Sequence, residues 1–192
     1  PRQAVRRVME GARSLNRSSG LRDRIEDRIS GKWTDVAGPW PALTRLSRAL
    51  LPQTVSVLCG PPGAAKSFLI FESLGEWFSA GIPVACLALE EDRTYHLQRV
   101  LAIREGNVGV LDPDWQKANA EAARAAYARH QSYLDRFGKR IWDAPLEPMT
   151  LEAISVWVRD RAREGCRVIV IDPVTAAIAT DSPWVADSKF VH

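Results

Sequence analysis

Cysteine, histidine and tyrosine are scarce, with three of each in 192 residues, and methionine occurs twice. No stretch approaches the ~18 consecutive apolar residues that crossing a bilayer takes, so no membrane-spanning helix is expected. Cys59, Cys86 and Cys166 are scattered, each in or beside an apolar run, with no CxxC and no Cys/His cluster. That argues against zinc ligation and predicts reduced, buried thiols in a cytoplasmic protein. The first residues, PRQAVRRVMEGARSLNRSSG, have no apolar core and do not read as a signal peptide. A strong charge of one sign is also missing: the net charge is +3, too mild to define a nucleic-acid partner by itself. There is no internal repeat and no low-complexity tract.

What is present is ordinary for a soluble globular protein, with 46% apolar and 26% charged residues. The length suits one domain that buries a core without disulfides or metals. The chain opens on Pro1 rather than Met and closes at His192 soon after a strand-like run, so a fragment truncated at its C-terminal end is expected. Residues 1–32 are rich in arginine, with Leu21, Ile25 and Ile29 at helical spacing. They read as a charged, partly helical extension, either a solvated helix or an arm for nucleic acid or a neighbouring subunit. Residues 33–192 read as the main domain.

Within that domain strands alternate with helices. Thr54–Cys59 (TVSVLC) and Pro83–Leu89 (PVACLAL) read as buried strands, as does Cys166–Ile171 (CRVIVI). Ile141-Trp142 reads as a short one. Helices are expected over Lys66–Ala80, stopped by Gly81-Ile82-Pro83, and over Tyr95–Glu105, Asp114–Phe137 and Leu151–Glu164, the last capped by Thr150. Trp77 and Trp157 fall on amphipathic helices and are expected in the core, whereas Trp33, Trp40 and Trp184 fall in loops. His96 and His130 stand alone on helices and suggest no role. Continuous apolar strands separated by helices predict an α/β fold, a mostly parallel sheet covered by helices on both faces.

Between the first strand and the first long helix lies Gly60-Pro61-Pro62-Gly63-Ala64-Ala65-Lys66-Ser67. Gly60, Lys66 and Ser67 match the phosphate-loop pattern G-x-x-x-x-G-K-[ST], in the strand–loop–helix context it requires. Loop amides and the free N–H groups of the helix, Phe68 among its first residues, would face the phosphates of ATP. Lys66 would supply the full charge, and Ser67 a hydroxyl for Mg²⁺. Ala65 stands where the pattern has its last glycine, and costs about 1 kcal/mol if that position is left-handed.

Ligands in open α/β sheets gather at the carboxyl ends of strands. The run Val168–Asp172 fits a Walker B strand, with Asp172 contacting Mg²⁺ opposite Ser67. Pro173 follows it and cannot serve as a base. The tip of the second strand offers Glu90, with Glu91 as the alternative. A third possibility is that the cluster only caps the next helix, for which Asp92 is well placed.

These residues carry a resemblance. A base at the end of the second strand, and a Walker B Asp without a following Glu, resemble the RecA-like P-loop ATPases. Within them the chain looks most like the replicative hexameric helicases of RepA and DnaB type. Trp40-Pro41-Ala42-Leu43, Leu50 to Val55, the run from Leu89 to Ile103, Trp142-Asp143-Ala144-Pro145, Thr150 to Ile154 and Val170 to Ala176 carry it, over about residues 33–185. The resemblance implies an ATPase motor acting on single-stranded DNA, in a homo-oligomeric, hexameric ring of plasmid, phage or mobile-element type. It also implies a sensor strand and arginine fingers that residues 1–192 do not show; Lys189 is a poor substitute. A recombination or strand-annealing ATPase, a clock-like regulatory ATPase and a slow nucleotide-binding relic are the alternatives.

Overall fold

The computed structural model describes residues 18–32, 35–47, 54–147 and 149–177. Trp33, Trp184, Lys189, the arginines of residues 1–17 and the segment 48–53 lie outside the described residues. The chain divides into two compact units, Pro1–Val36 with Leu51–Gln53, and Ala37–Leu50 with Thr54–His192.

In the first unit, helix α1 (Ser18–Ile29) realises the helical spacing of Leu21, Ile25 and Ile29. All three side chains are exposed, so the stripe is not a core face within the described residues. Lys32 reaches Asp27 at 3.0 Å, a surface pair that contributes little.

The second unit is mixed α/β. Its described elements are α2 (Pro41–Ser47), α3 (Lys66–Ser79), β1 (Val84–Ala88), α4 (Arg93–Glu105), α5 (Pro113–Ala118), α6 (Ala120–Gly138), β2 (Ile141–Asp143), α7 (Leu151–Arg163) and β3 (Val168–Asp172). A 3₁₀ turn, Val108–Leu111, lies inside the expected 106–113 loop. The three strands form one parallel sheet in the order β2-β1-β3. Every residue of the central strand is buried, which explains why its sequence is uniformly apolar rather than alternating. Helices α3, α4 and α7 pack on the sheet.

The crossover helices end alike. Gly81, Gly106 and Gly165 have φ of +76°, +64° and +92°. In each case the next residue donates back five positions: Ile82 to Trp77 O, Asn107 to Ala102 O, and Cys166 to Arg161 O. Only a residue without Cβ enters that left-handed corner cheaply. The same bond takes Cys166 out of the expected strand, so β3 begins at Val168. The carboxyl end of that strand, by contrast, runs one residue further than expected, to Asp172.

Phe71, Leu74 and Trp77 are the buried stripe of α3, and they pack in the core with β1, Val100, Phe137 and Ile154. The Trp77 indole also donates to Ala37 O at 2.8 Å. Trp157 is only half-buried and meets Trp142 edge to face at 5.6 Å. The single helix expected over Asp114–Phe137 is two. The Asn119 backbone leaves helical geometry, at φ −125° and ψ 42°, while its backbone N–H and its side-chain amide both donate to Trp115 O, at 2.8 and 2.9 Å. Asp112 caps the first piece through Asp114 N at 2.8 Å. Glu105 ties α4 to α6 by an ion pair with Arg129 and a 2.9 Å contact with His130 Nε2. The guanidinium of Arg129 accordingly holds the Glu105 carboxyl below its ordinary range.

One expected strand is corrected. Residues 54–59 form no strand, and Val55, Val57 and Leu58 are exposed. An apolar, β-branched run becomes a strand only when a neighbour completes its hydrogen-bond ladder. Here β1 is flanked by β2 and β3 on its two sides, and among the described residues the sheet has no fourth strand. Cys59 is therefore exposed rather than buried, and Cys166 is half-buried. Cys86 alone meets the expectation of a buried thiol; burial, and then the charge of Asp172, pushes its pKa far upward.

Candidate active site

The parallel register puts three strand ends in one row. Ala88 is the Cα partner of Asp143 on one side and of Asp172 on the other. Leu89 N donates to Asp172 O at 2.9 Å, which fastens the turn after β1 to the end of β3. Glu90 and Glu91 follow, both exposed, so the carboxylates singled out in the sequence do gather at one rim of the sheet.

Two of these acids hold helix α4. Asp92 Oδ1 accepts from Tyr95 N at 2.7 Å, the capping expected of it. Asp143 adds what the sequence did not disclose. Its Oδ1 accepts from Arg93 N at 2.6 Å and its Oδ2 meets the Arg93 guanidinium at 3.2 Å. In the sequence Asp143 stood out only as part of the run Trp142 to Pro145, just after a short strand.

The loop Gly60–Ala65 leads directly into α3. Gly63 has φ +78° and Ala65 has φ +56°, ψ +25°, so both are left-handed. Lys66 is the first helical residue, and its Nζ donates to Gly60 O at 2.8 Å and Pro61 O at 2.9 Å. The ammonium thus folds back across the loop and braces it. The α3 N-terminus has no side-chain cap, whereas α4, α5 and α7 are capped by Asp92, Asp112 and Thr150. Its first N–H groups and positive dipole end remain available to an anion. Ser67 and Phe68 are half-buried in that first turn, and Arg99 lies 5.5 Å from the centre of the Phe68 ring. At Gly60 a Cβ would make only ordinary contacts, 3.4 Å from Ala64 Cβ and 3.6 Å from Lys66 Cδ.

Ala65 therefore occupies the strained corner that the sequence pattern reserves for glycine. L-residues lose about 1–2 kcal/mol in this conformation. Ala65→Gly is expected to leave ATP affinity equal or better, read by titration calorimetry. A large loss of affinity would mean that the loop binds in another geometry.

His96, given no role from the sequence, is the surprise of this region. It is 2% exposed and stacks on Phe71 at 4.3 Å with an interplanar angle of 23°. Neither ring nitrogen has a hydrogen-bond partner among the described residues. Each such orphan costs roughly 1–3 kcal/mol. Burial pushes its pKa below the ordinary value; the Asp172 charge pulls the other way and Arg99 reinforces burial. Burial therefore favours the uncharged ring. The only signal in the sequence was its i,i+4 spacing to Val100 on the buried face of α4.

Among the described residues no three His, Cys, Asp or Glu side chains converge into a metal-binding cluster. A Mg²⁺ held mainly by phosphate and water needs no such cluster. The chain matches no family model, no curated protein and no solved structure. Among the described residues no helix is long and apolar enough to cross a membrane.

Proposed function

We propose that the chain is the ATP-binding and ATP-hydrolysing domain of a RecA-like P-loop ATPase that works on single-stranded DNA in a homo-oligomeric ring, a replicative helicase subunit in kind. The observation that carries the nucleotide reading is Lys66, braced on the Gly60 and Pro61 carbonyls at the head of an uncapped helix. An ammonium so placed, a loop with two left-handed residues and free helix amides are the parts that a polyphosphate needs. The row Asp143–Ala88–Asp172 supports the second half of the reading, because it brings a Walker B-like carboxylate beside the acidic turn.

In this reading the residues Gly60 to Phe68 would hold the phosphates, and Ser67 and Asp172 would hold Mg²⁺. The ion supplies charge neutralisation on the phosphate oxygens. Glu90 orients and deprotonates the attacking water. Asp92 and Asp143 keep α4 in place, so that the turn carrying Glu90 has a fixed base. The DNA partner and the hexameric ring come from the resemblance of the motifs.

Mg-ATP is expected to bind the 192-residue chain saturably at one site in a calorimetric titration. The DNA reading has its own test, the ATP turnover of the assembled oligomer with and without single-stranded DNA. Stimulation by DNA upholds the motor; turnover indifferent to DNA moves the assignment to a regulatory ATPase of the same fold.

A further inference from the structure

We propose that the amino-terminal rim of the parallel sheet, centred on Lys139, Arg140 and Arg167, binds the phosphate backbone of single-stranded nucleic acid. The inference rests on the DNA part of the reading above, for which it names a surface, and not on the nucleotide part.

The sheet is electrically polarised along its strands. The carboxylates described above gather at its carboxyl rim. Its amino rim is built by the segments that lead into β2 and β3, residues 135–140 and 159–167, which hold seven cations and three carboxylates. That net +4 exceeds the +3 of the whole chain, so the positive charge of the molecule is concentrated here. The segment leading into β1, Ser79 to Pro83, carries no charge to offset it. Backbone bonds fix the arrangement. Cys86 N donates to Arg140 O at 2.8 Å, and Arg167 N donates to Pro83 O at 2.8 Å. Arg140 and Arg167 therefore flank the start of β1 on its two sides, roughly 10 Å apart at about 5 Å per strand. That is about one Debye length at ~0.1 M salt, so their fields reinforce each other. Arg161 is withheld, paired with Glu164 at 2.5 Å and lying 5.1 Å from the centre of the Trp142 ring. Arg163 meets Asp160 at 3.1 Å in an exposed pair that contributes little. Lys139 and Arg140 are exposed and form no ion pair among the described residues; Arg167 is exposed as well. Six of the seven cations are arginine, whose planar fork takes phosphate oxygens two at a time. The acidic rim of a second copy is the poorer match, because Asp92 and Asp143 already accept from Tyr95 N and Arg93 N. A polyanion with a phosphate at every residue of its backbone suits a row of exposed arginines better.

The test follows the anisotropy of a fluorescein-labelled oligothymidylate titrated with the 192-residue chain over a range of salt. The double variant Lys139→Ala/Arg140→Ala is expected to bind about 10–30-fold more weakly near ~0.1 M salt. Its slope of log affinity against log salt should be shallower by about 1.4, two contacts at about 0.7 each. Lys117→Ala/Arg124→Ala removes the same charge from α5 and α6, with Arg124 about 18 Å along the helix from Arg136. It is expected to bind the oligonucleotide nearly as wild type does, and Mg-ATP binding should be the same in all three proteins. A folded rim variant that binds the oligonucleotide like wild type overturns the surface and leaves the DNA reading intact. Equal losses in the two variants overturn it too, because net charge would then be the whole cause. Wild-type protein that binds Mg-ATP but no oligonucleotide overturns the surface and the DNA reading together. Low-salt self-association that the rim variant abolishes, without oligonucleotide binding, would assign the rim to a second copy and overturn the proposal. Should the rim variant fail to fold, acetylation of the wild-type lysines decides. Bound oligonucleotide is expected to protect Lys139 and not Lys117; equal labelling of Lys139 with and without it overturns the proposal.

Discussion

Lys66→Ala is expected to abolish measurable Mg-ATP binding while the chain remains folded. The lysine does two jobs in the structure. Its Nζ spans the mouth of the loop on two carbonyls, Gly60 O and Pro61 O, and it brings one full positive charge to the place where the terminal phosphates would lie. Charge-assisted hydrogen bonds contribute about 1.5–3 kcal/mol each. Two of them to phosphate oxygens amount to about 3–6 kcal/mol, or roughly 10²–10⁴-fold in affinity. The fold should survive, because Lys66 is only half-buried and begins its helix, and alanine is the best helix former. Titration calorimetry on the variant, with its far-UV spectrum and melting temperature as controls, checks this. Unchanged affinity in a folded variant would refute the phosphate-loop reading.

The parts of this molecule that were readable from sequence are those whose cause is local or whose burial is complete. The β1 run is buried at every residue, so its apolar signal has no gaps. Three helix ends carry a glycine in the corner that demands it. The Thr150 cap is made, at 3.1 Å to Ala153 N, because capping needs only residues three apart. What failed depended on partners. Thr54–Cys59 has the composition of a strand, but composition does not say which neighbour will supply the ladder. Asn119 breaks a helix whose alanine-rich periodicity runs straight through it, because one residue leaving helical backbone angles leaves no mark on that periodicity.

The site divides in the same way. Lys66 and Ser67 were picked out by the spacing of the loop pattern, and Glu90 and Asp172 by their places at the ends of apolar runs. Ala65 was flagged by departing from that spacing, and its left-handed φ supplies the physical reason. Asp143 bonds across elements and His96 is buried against another helix, and both leave almost no trace in linear sequence. Asp143 reaches a backbone N–H fifty residues away. His96 looks like any helical histidine until its burial is known.

Glu90→Gln is expected to retain ATP binding and to lose turnover by roughly 10²–10⁴-fold, the usual contribution of a general base. Three acids follow β1, and the structure gives one of them a partner. Asp92 is occupied, its carboxylate committed to the α4 cap. Glu91 lies toward α4, where its charge is felt by the buried His96. Glu90 follows Leu89 directly, and Leu89 N is bonded to Asp172 O, so Glu90 emerges nearest the row of strand ends. Neither Glu90 nor Glu91 forms an ion pair among the described residues, so the two variants have to be compared. Glutamine keeps its size and its hydrogen bonding but cannot take the proton, so binding and hydrolysis should part company. Single-turnover hydrolysis, measured in an assembly that turns ATP over, gives the rate, and analogue binding gives the affinity. Equal losses in both would make Glu90 a binding residue. A turnover loss at Glu91→Gln with Glu90→Gln unimpaired would move the base one residue along the turn, to the side chain that shares its field with His96.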